Sequence, residues 1–396
     1  MNAIPEIQTT TWLNPDVLRW AREWSGHSLE EAAKRVGKSA GQVEAWELGD
    51  TLPTVRQARL LADFYGRAFL EFFLPAPPEL SEPIAIPDYR THKDHDQSED
   101  QRKLDLIRQW AETQRINALD LYQEIGEEPI AFPSELRATL QNDPGEIAAY
   151  ARSILNLSIQ DQIGMTKAAS QTLPAILRRQ FESIGTLVFR TPDLKPLRVR
   201  GICIAEFPLP VIVYSSESPT AQAFTLVHEF AHVILRQSGV TGPRTRAYDR
   251  QPIERWCDQF AAAFLMPLDQ VVAIVGEKPP EPIASIQDDE LARFAEIFRV
   301  SPHAMLIRLV QLGYIRSSFY WDVKKADFDR AEENYQSFAR ASYYASRFRS
   351  SLGDLYTRLV LEAWSADRIT NHSAAQYMGI KDFGHLEAIR EHFAGS

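Results

Sequence analysis

The sequence predicts a mainly α, multidomain protein: a bundle of short helices near the N terminus, an α+β region with a small sheet in the middle, and a helical C-terminal tail. Three observations predict it. The chain has 396 residues, too many for one ordinary domain. Two helix-opening patterns, Ser28-x-x-Glu31 and Ser39-x-x-Gln42, flank Gly37. Three short β-branched runs precede two apolar helical stretches that together carry two histidines and three carboxylates.

The first helix is predicted over Asp16 to Ser25, with Leu18, Ala21 and Trp24 at helical spacing. Ser28 and Glu31 form a capping box that opens a second, Leu29 to Val36. Gly37-Lys38 makes the turn. Ser39 and Gln42 read as another capping box, opening a third helix over Ala40 to Leu48 that Gly49 stops. Pro53-Thr54 starts a fourth that runs to Tyr65. Two short helices across a glycine turn is the helix-turn-helix pattern. Glu31-Ala32-Ala33-x-x-Val36-Gly37 and Val43-Glu44-Ala45-Trp46-Glu47-x-Gly49-x-x-x-Pro53-Thr54 resemble the phage-repressor-type (XRE) helix-turn-helix family, placed over residues 12–75. The resemblance implies that the third helix enters the major groove of operator DNA, with Ser39 and Gln42 near bases or phosphates. Lys34, Arg35 and Lys38 offer a small basic cluster. Against DNA binding, residues 1–75 hold 8 Lys+Arg and 10 Asp+Glu, and Leu29 stands where the family often has a backbone-touching Gln. A helical docking module without DNA affinity is the competing expectation.

Residues 76–99 read as a linker. They are proline-rich at Pro77, Pro78, Pro83 and Pro87, and end in the polar run His92-Lys93-Asp94-His95-Asp96. The His92/His95 pair reads as solvated loop rather than metal site. A long amphipathic helix follows over 100–125, with Leu104, Ile107, Trp110, Ile116, Ala118 and Leu121 as its apolar stripe. Asp143 to Leu155 and Ala168 to Ser183 are two more helices. Strands are predicted at Thr186–Phe189, Gly201–Ala205 and Val211–Tyr214.

The next helix contains His228-Glu229-Phe230-Ala231-His232. Residues four apart share a helix face, so His228 and His232 can reach one metal ion. Glu229 follows the first ligand and can serve as general base toward a water. A metal needs a third ligand. The helix between Pro252 and Pro267 offers Glu254, with Asp258 four residues on and on the same face. Asp258 can accept a hydrogen bond from a ligand histidine's other ring nitrogen.

Thr225-Leu226-Val227-His228-Glu229-Phe230-Ala231-His232, taken with Glu254-x-x-Cys257-Asp258-x-Phe260-Ala261-Ala262-x-x-Leu265-Met266-Pro267, resembles the ImmA/IrrE family of zinc metallopeptidases. The resemblance covers roughly residues 180–315. Ala231 stands where Gly is common, Cys257 where Ala is common, and Pro267 comes one place early. Ser215 or Ser216 lies where an Asn often follows the strand. None of these removes a ligand. Pro87-Asp88-Tyr89-Arg90 resembles a motif common where the two modules are fused. The resemblance implies an α+β zincin-like peptidase domain within residues 100–316, a Zn²⁺ cofactor, and cleavage of a specific protein such as a repressor. Tyr214, Tyr248 and His303 are the candidates for stabilising the oxyanion. Chains of this architecture also resemble antitoxins that bind a PIN-like ribonuclease toxin and repress their own operator. On that alternative, peptidase activity is latent.

Helices at Leu291–Phe298 and Ala304–Leu312 are expected to cover this domain. Residues 317–396 read as a helical tail. There Arg340, Arg347, Arg349 and Arg358 interleave with Tyr343, Tyr344 and Phe348, and Thr370-x-x-Ser373 opens a short helix-turn-helix-like element. Aromatics at helical spacing favour a packed helix pair over a nucleic-acid surface. The net charge of −10 argues against broad non-specific binding to nucleic acid. No apolar run approaches the ~20 residues of a membrane span. Two cysteines, Cys203 and Cys257, exclude a disulfide framework and fit a reducing cytoplasm. A homodimer is compatible with the architecture.

Overall fold

The computed structural model describes residues 13–65, 67, 69–77, 97–165, 172–242, 251–334, 350–380 and 384–394. The 87–95 segment, Tyr248 and the 340–349 arginine–aromatic stretch lie outside them. The chain divides into two compact units. The first spans Met1–Ile84 with Ser98–Leu106, and the second spans Ala85–Gln97 with Ile107–Ser396. The tail helices Asp354–Ser365, Asn371–Tyr377 and Gly384–Ala394 fall in the second.

The first unit contains α1 (Pro15–Trp24), α2 (Leu29–Val36), α3 (Ala40–Glu47) and α4 (Val55–Tyr65). Val17, Leu18, Ala32, Val43, Trp46 and Leu61 form its core. The capping box of α2 is complete: Glu31 N–H donates to Ser28 Oγ at 3.2 Å, and Ser28 N–H to Glu31 Oε2 at 2.9 Å. The second expected box is only half made. Ser39 accepts from Gln42 N–H, but the Gln42 side chain donates forward to Thr51 Oγ1 at 3.1 Å. A neutral amide gains as much from Thr51 as from the cap backbone, so nothing holds it back.

The second unit is built around a four-stranded sheet of β1 (Leu187–Thr191), β2 (Gly201–Ile204), β3 (Val211–Ser215) and β4 (Gly239–Thr241), in the order β1-β3-β2-β4. β1 and β3 are parallel, and β2 is antiparallel to both its neighbours. The three-residue β4 was not expected from the sequence, being too short to show a period. The long helix α5 (Gln97–Ile125) has Ser98–Leu106 in the first unit and its residues from Ile107 on in the second. Its buried residues include Leu104, Ala111, Gln114, Ala118, Leu121 and Tyr122, whereas Ile116 is 44% exposed and is not part of the stripe. α6 (Pro144–Ile154) opens on Asp143, whose carboxylate accepts from Gly145 and Glu146 N–H. α7 (Ile159–Gly164) was not predicted. α8 is Leu173–Ser183, opening at a leucine followed by Pro174; residues 168–171 of the expected helix lie outside the described residues.

The central helix α9 (Pro219–Leu235) is enclosed on every side: all residues from Gln222 to Leu235 are buried, the polar His228, Glu229 and His232 among them. It packs between α8, α10 (Pro252–Leu265) and the sheet, with Phe230 stacked on Phe181 at 4.1 Å. α10 ends at Met266-Pro267, which leaves its last carbonyls without helical donors. Three buried side chains supply them. Arg152 donates to Phe264 O at 2.8 Å, Gln162 to Leu265 O at 2.8 Å, and Arg308 to Met266 O at 3.0 Å. α11 (Leu268–Val275), α12 (Asp288–Ile297), α13 (Pro302–Gln311) and α14 (Lys325–Glu333) complete the cover. Among the described residues no single helix is long and apolar enough to cross a membrane. The bent pair α10–α11 has the composition, but α10 is buried here against α6 and α9.

Candidate metal centre

The centre is made by two helices and one strand. α9 brings His228 and His232 to one face, one turn apart, with ring centroids 5.2 Å from each other. α10 brings Glu254 and Asp258 opposite them. His232 Nε2 lies 3.0 Å from Glu254 Oε1, and His228 Nε2 lies 3.4 Å from Glu254 Oε2. Behind His228, its Nδ1 lies 3.0 Å from Asp258 Oδ1. A carboxylate only accepts, so Nδ1 carries the proton there, and Nε2 is the nitrogen left to face Glu254. All four side chains are buried.

The carboxylates and imidazoles support each other's charged forms. Burial works against the Glu254 charge, but the two histidines outweigh it and hold its carboxyl far below the usual range. Burial also opposes charging of His228, yet Glu254 and Asp258 outweigh it and raise its pKa. Two acidic groups thus share one buried space with two imidazoles. Two nitrogens and one carboxylate converging there form a donor set suited to zinc, so the residues fit the ion.

Glu229 is fully buried beside β2, where Gly201 pairs with Tyr214 on one side and Thr241 on the other. A Cβ at Gly201 would lie 2.3 Å from Glu229 Oε1 and 2.6 Å from its Cδ. Only glycine leaves room for this carboxylate. The Thr241 side chain helps to hold the Glu229 charge, although among the described residues neither Glu229 oxygen has a hydrogen bond of good geometry. Burial pushes its pKa up to about 7, against the pull of His232 and His228.

One residue escaped the sequence reading as a possible ligand. Cys257 is buried, and its sulfur falls with one nitrogen each of His228 and His232 in a group no wider than 4.8 Å. It sits three residues after Glu254, on the same helix face, which was the available signal. Glu254 and Cys257 differ in two respects. The Glu254 carboxylate approaches both Nε2 atoms and is held low in pKa by the two histidines, whereas burial and then the nearby Glu254 and Glu229 charges push the Cys257 thiol above its ordinary pKa.

The start of α9 is fixed by a polar cluster that the sequence did not reveal. Buried Glu217 accepts from Thr225 Oγ1 at 2.8 Å and lies 3.5 Å from Arg200 Nε. Glu332 of α14 accepts from Ser218 N–H and Oγ, both at 3.2 Å. Of the oxyanion candidates, Tyr214 is buried in β3, and His303 is within hydrogen-bond distance of the Tyr320 hydroxyl, at 2.9 Å.

In the first unit, Ser39, Lys34, Arg35 and Lys38 are exposed around the α2–α3 turn, and Gln42 is half-buried. The Arg35 guanidinium lies over the Phe64 ring at 5.9 Å. The sequence did not reveal an ion pair between the half-buried Arg22 and the buried Glu47: Arg22 of α1 donates to both Glu47 oxygens of α3, at 2.7 and 2.8 Å.

Residues 176–310 match the family model described as the IrrE N-terminal-like domain, Peptidase_M78. Residues 18–72 match the helix-turn-helix model HTH_3. No curated protein and no solved structure matches the chain. The chain therefore joins a helix-turn-helix domain of the HTH_3 kind to an IrrE N-terminal-like domain of the M78 peptidase family.

Proposed function

We propose that this chain is a DNA-binding regulator whose second unit is a zinc-dependent endopeptidase acting on a specific protein partner, such as a repressor. The observation that carries the reading is the approach of the His228 and His232 Nε2 atoms to the Glu254 carboxylate, with Asp258 behind His228. His228, His232 and Glu254 would hold the ion. Zinc in such a site supplies Lewis acidity, polarising a carbonyl and making water acidic. Asp258 fixes the His228 tautomer so that Nε2 keeps its lone pair for the ion. Glu229 accepts a proton from the attacking water and returns it to the leaving amine. Gly201 leaves the Glu229 carboxylate its place against β2.

The first unit would bring this activity to operator DNA, through Ser39 and Gln42 at the start of α3 and through Lys34, Arg35 and Lys38 beside it. Gln42 must exchange its bond to Thr51 for one to a base.

The test is the Glu229→Gln variant. Zinc analysis of this variant and of the unaltered protein should give about one ion per chain, the stoichiometry of a three-ligand site. Cleavage of the partner should fall by a factor on the order of 10² to 10⁴, the range for loss of a general base. A metal-free protein refutes the centre. Full cleavage by Glu229→Gln refutes the assigned base.

A further inference from the structure

A cavity of about 670 Å³ opens where α9 ends and α10 begins. That volume is within the roughly 300–1,000 Å³ range of ligand pockets. Its described walls include Arg137 and Leu140 from the segment before α6, Leu235 and Arg236 at the end of α9, and Gln251 and Ile253 at the start of α10. These walls carry two guanidinium groups and no carboxylate, and none of His228, Glu229, His232 or Glu254 is among them.

The fold fixes both arginines. Ala138 N–H donates to Ile234 O at 3.1 Å, and Trp256 of α10 donates to Asn142 O at 2.9 Å, so the segment carrying Arg137 is tied to both helices. Arg236 is the C-cap of α9, at φ 57° and ψ 38°, the left-handed conformation that glycine usually supplies. Its guanidinium lies over the Phe207 ring at 3.4 Å and over the Phe132 ring at 4.9 Å. Stacking holds this planar group by its faces and leaves its N–H edge for another partner.

The protein does not supply that partner. Among the described residues, neither Arg236 nor Arg137 donates a side-chain hydrogen bond or pairs with a carboxylate. Burial and then the Arg137 charge lower the Arg236 pKa, so the two cations repel each other across the cavity wall. At the same wall Gln251, the N-cap of the 14-residue α10, makes no side-chain cap bond, which leaves the first N–H groups of that helix uncapped by it. Two guanidinium forks suit the oxygens of one phosphate, and a phosphate monoester carries close to two negative charges at neutral pH. A carboxylate would neutralise only one arginine.

We propose that this cavity binds the phosphate group of a small phosphorylated molecule, with Arg137 and Arg236 forking onto its oxygens and Leu140, Leu235 and Ile253 facing the rest of the molecule. The site is separate from the metal centre and does not depend on the zinc reading.

The probes are phenyl phosphate, inorganic phosphate and phenol, titrated calorimetrically into the full chain. Phenyl phosphate should fill one saturable site, and phenol should not bind. Arg236→Gly removes the guanidinium and keeps the left-handed backbone. Arg137→Ala removes the other guanidinium at an exposed position, so the test stands even where Arg236→Gly disturbs α9. Each should weaken phenyl phosphate binding by about 10- to 100-fold, the scale of a charged hydrogen bond. Arg236→Lys should not restore it, because an ammonium neither forks nor stacks as a guanidinium does. Arg293→Ala, which removes an exposed charge on α12, should change nothing. Absence of saturable phenyl phosphate binding overturns the site, as does binding of inorganic phosphate alone. Binding untouched by Arg137→Ala and Arg236→Gly places the phosphate elsewhere and also overturns it. An equal loss in Arg293→Ala would mark a response to net charge and overturn it too.

Discussion

The two units each bury an ionic cluster, and the clusters differ in how completely they are satisfied. In the first, Arg22 and Glu47 meet fork to fork, and the hydrogen bond to Glu47 raises the Arg22 pKa further. Each charge has its opposite, and the pair clamps α1 to α3. In the second, Glu254 and Asp258 crowd two histidines, and Glu229 has no well-formed hydrogen bond among the described residues. Burying a charge without full compensation is costly. A closed pair therefore marks a structural clamp. An open cluster on helices that the fold takes care to position marks a site that answers to something it binds.

Six variants would break or sharpen that contrast. Removing half of the closed pair with Arg22→Ala should destabilise the first unit by about 3–5 kcal/mol, because Glu47 remains buried and unpaired. Thermal or denaturant unfolding followed by near-ultraviolet circular dichroism checks this. Arg22→Met with Glu47→Leu should recover most of the loss, since both charges then leave together. Full stability of the single variant would show that the pair is not a clamp.

At the open cluster, Gly201→Ala should lower kcat for the partner by about 100-fold, the effect of a roughly 1 Å misplacement of a reacting group. Zinc content and KM should be unchanged, because the three atoms nearest the intruding Cβ all belong to Glu229. Asp258→Asn should weaken zinc binding by about 10- to 100-fold, as loss of a ligand's hydrogen-bond partner does. Competition with a chromophoric chelator measures it. Cys257→Ala should leave zinc affinity nearly unchanged, while Glu254→Ala should abolish stoichiometric binding. Cobalt substitution gives an independent reading. A sulfur-to-cobalt charge-transfer band that disappears in Cys257→Ala would move the third ligand from Glu254 to the thiol.

Much of the local structure was legible because it depends on near neighbours. The α2 capping box, the stop at Gly49 and the bounds of α10 between two prolines follow from backbone geometry within a few residues. The shared faces of His228 with His232 and of Glu254 with Asp258 follow from helical periodicity alone. Where a choice depended on a distant partner, reading failed. Gln42 turned to Thr51 rather than to its cap, and Ile116 faces outward although its spacing suggested the stripe. β4 carries too few residues to show a period.

What the sequence by itself determined is therefore the set of elements and the chemistry each one carries: two imidazoles and a carboxylate on one helix, two carboxylates on another, and a glycine-turn helix pair before them. Only the tertiary structure decided which nitrogen of His228 faces Asp258, that Glu254 approaches both histidines, and that a bare glycine on β2 makes room for Glu229. It also decided that α9, α13 and α14 wall a cavity. The physical reason is range. Helix periodicity and capping act over four residues, whereas the site's geometry is set by packing between segments tens of residues apart. There a single Cβ, or a single buried donor such as Arg152 on the end of α10, determines the arrangement.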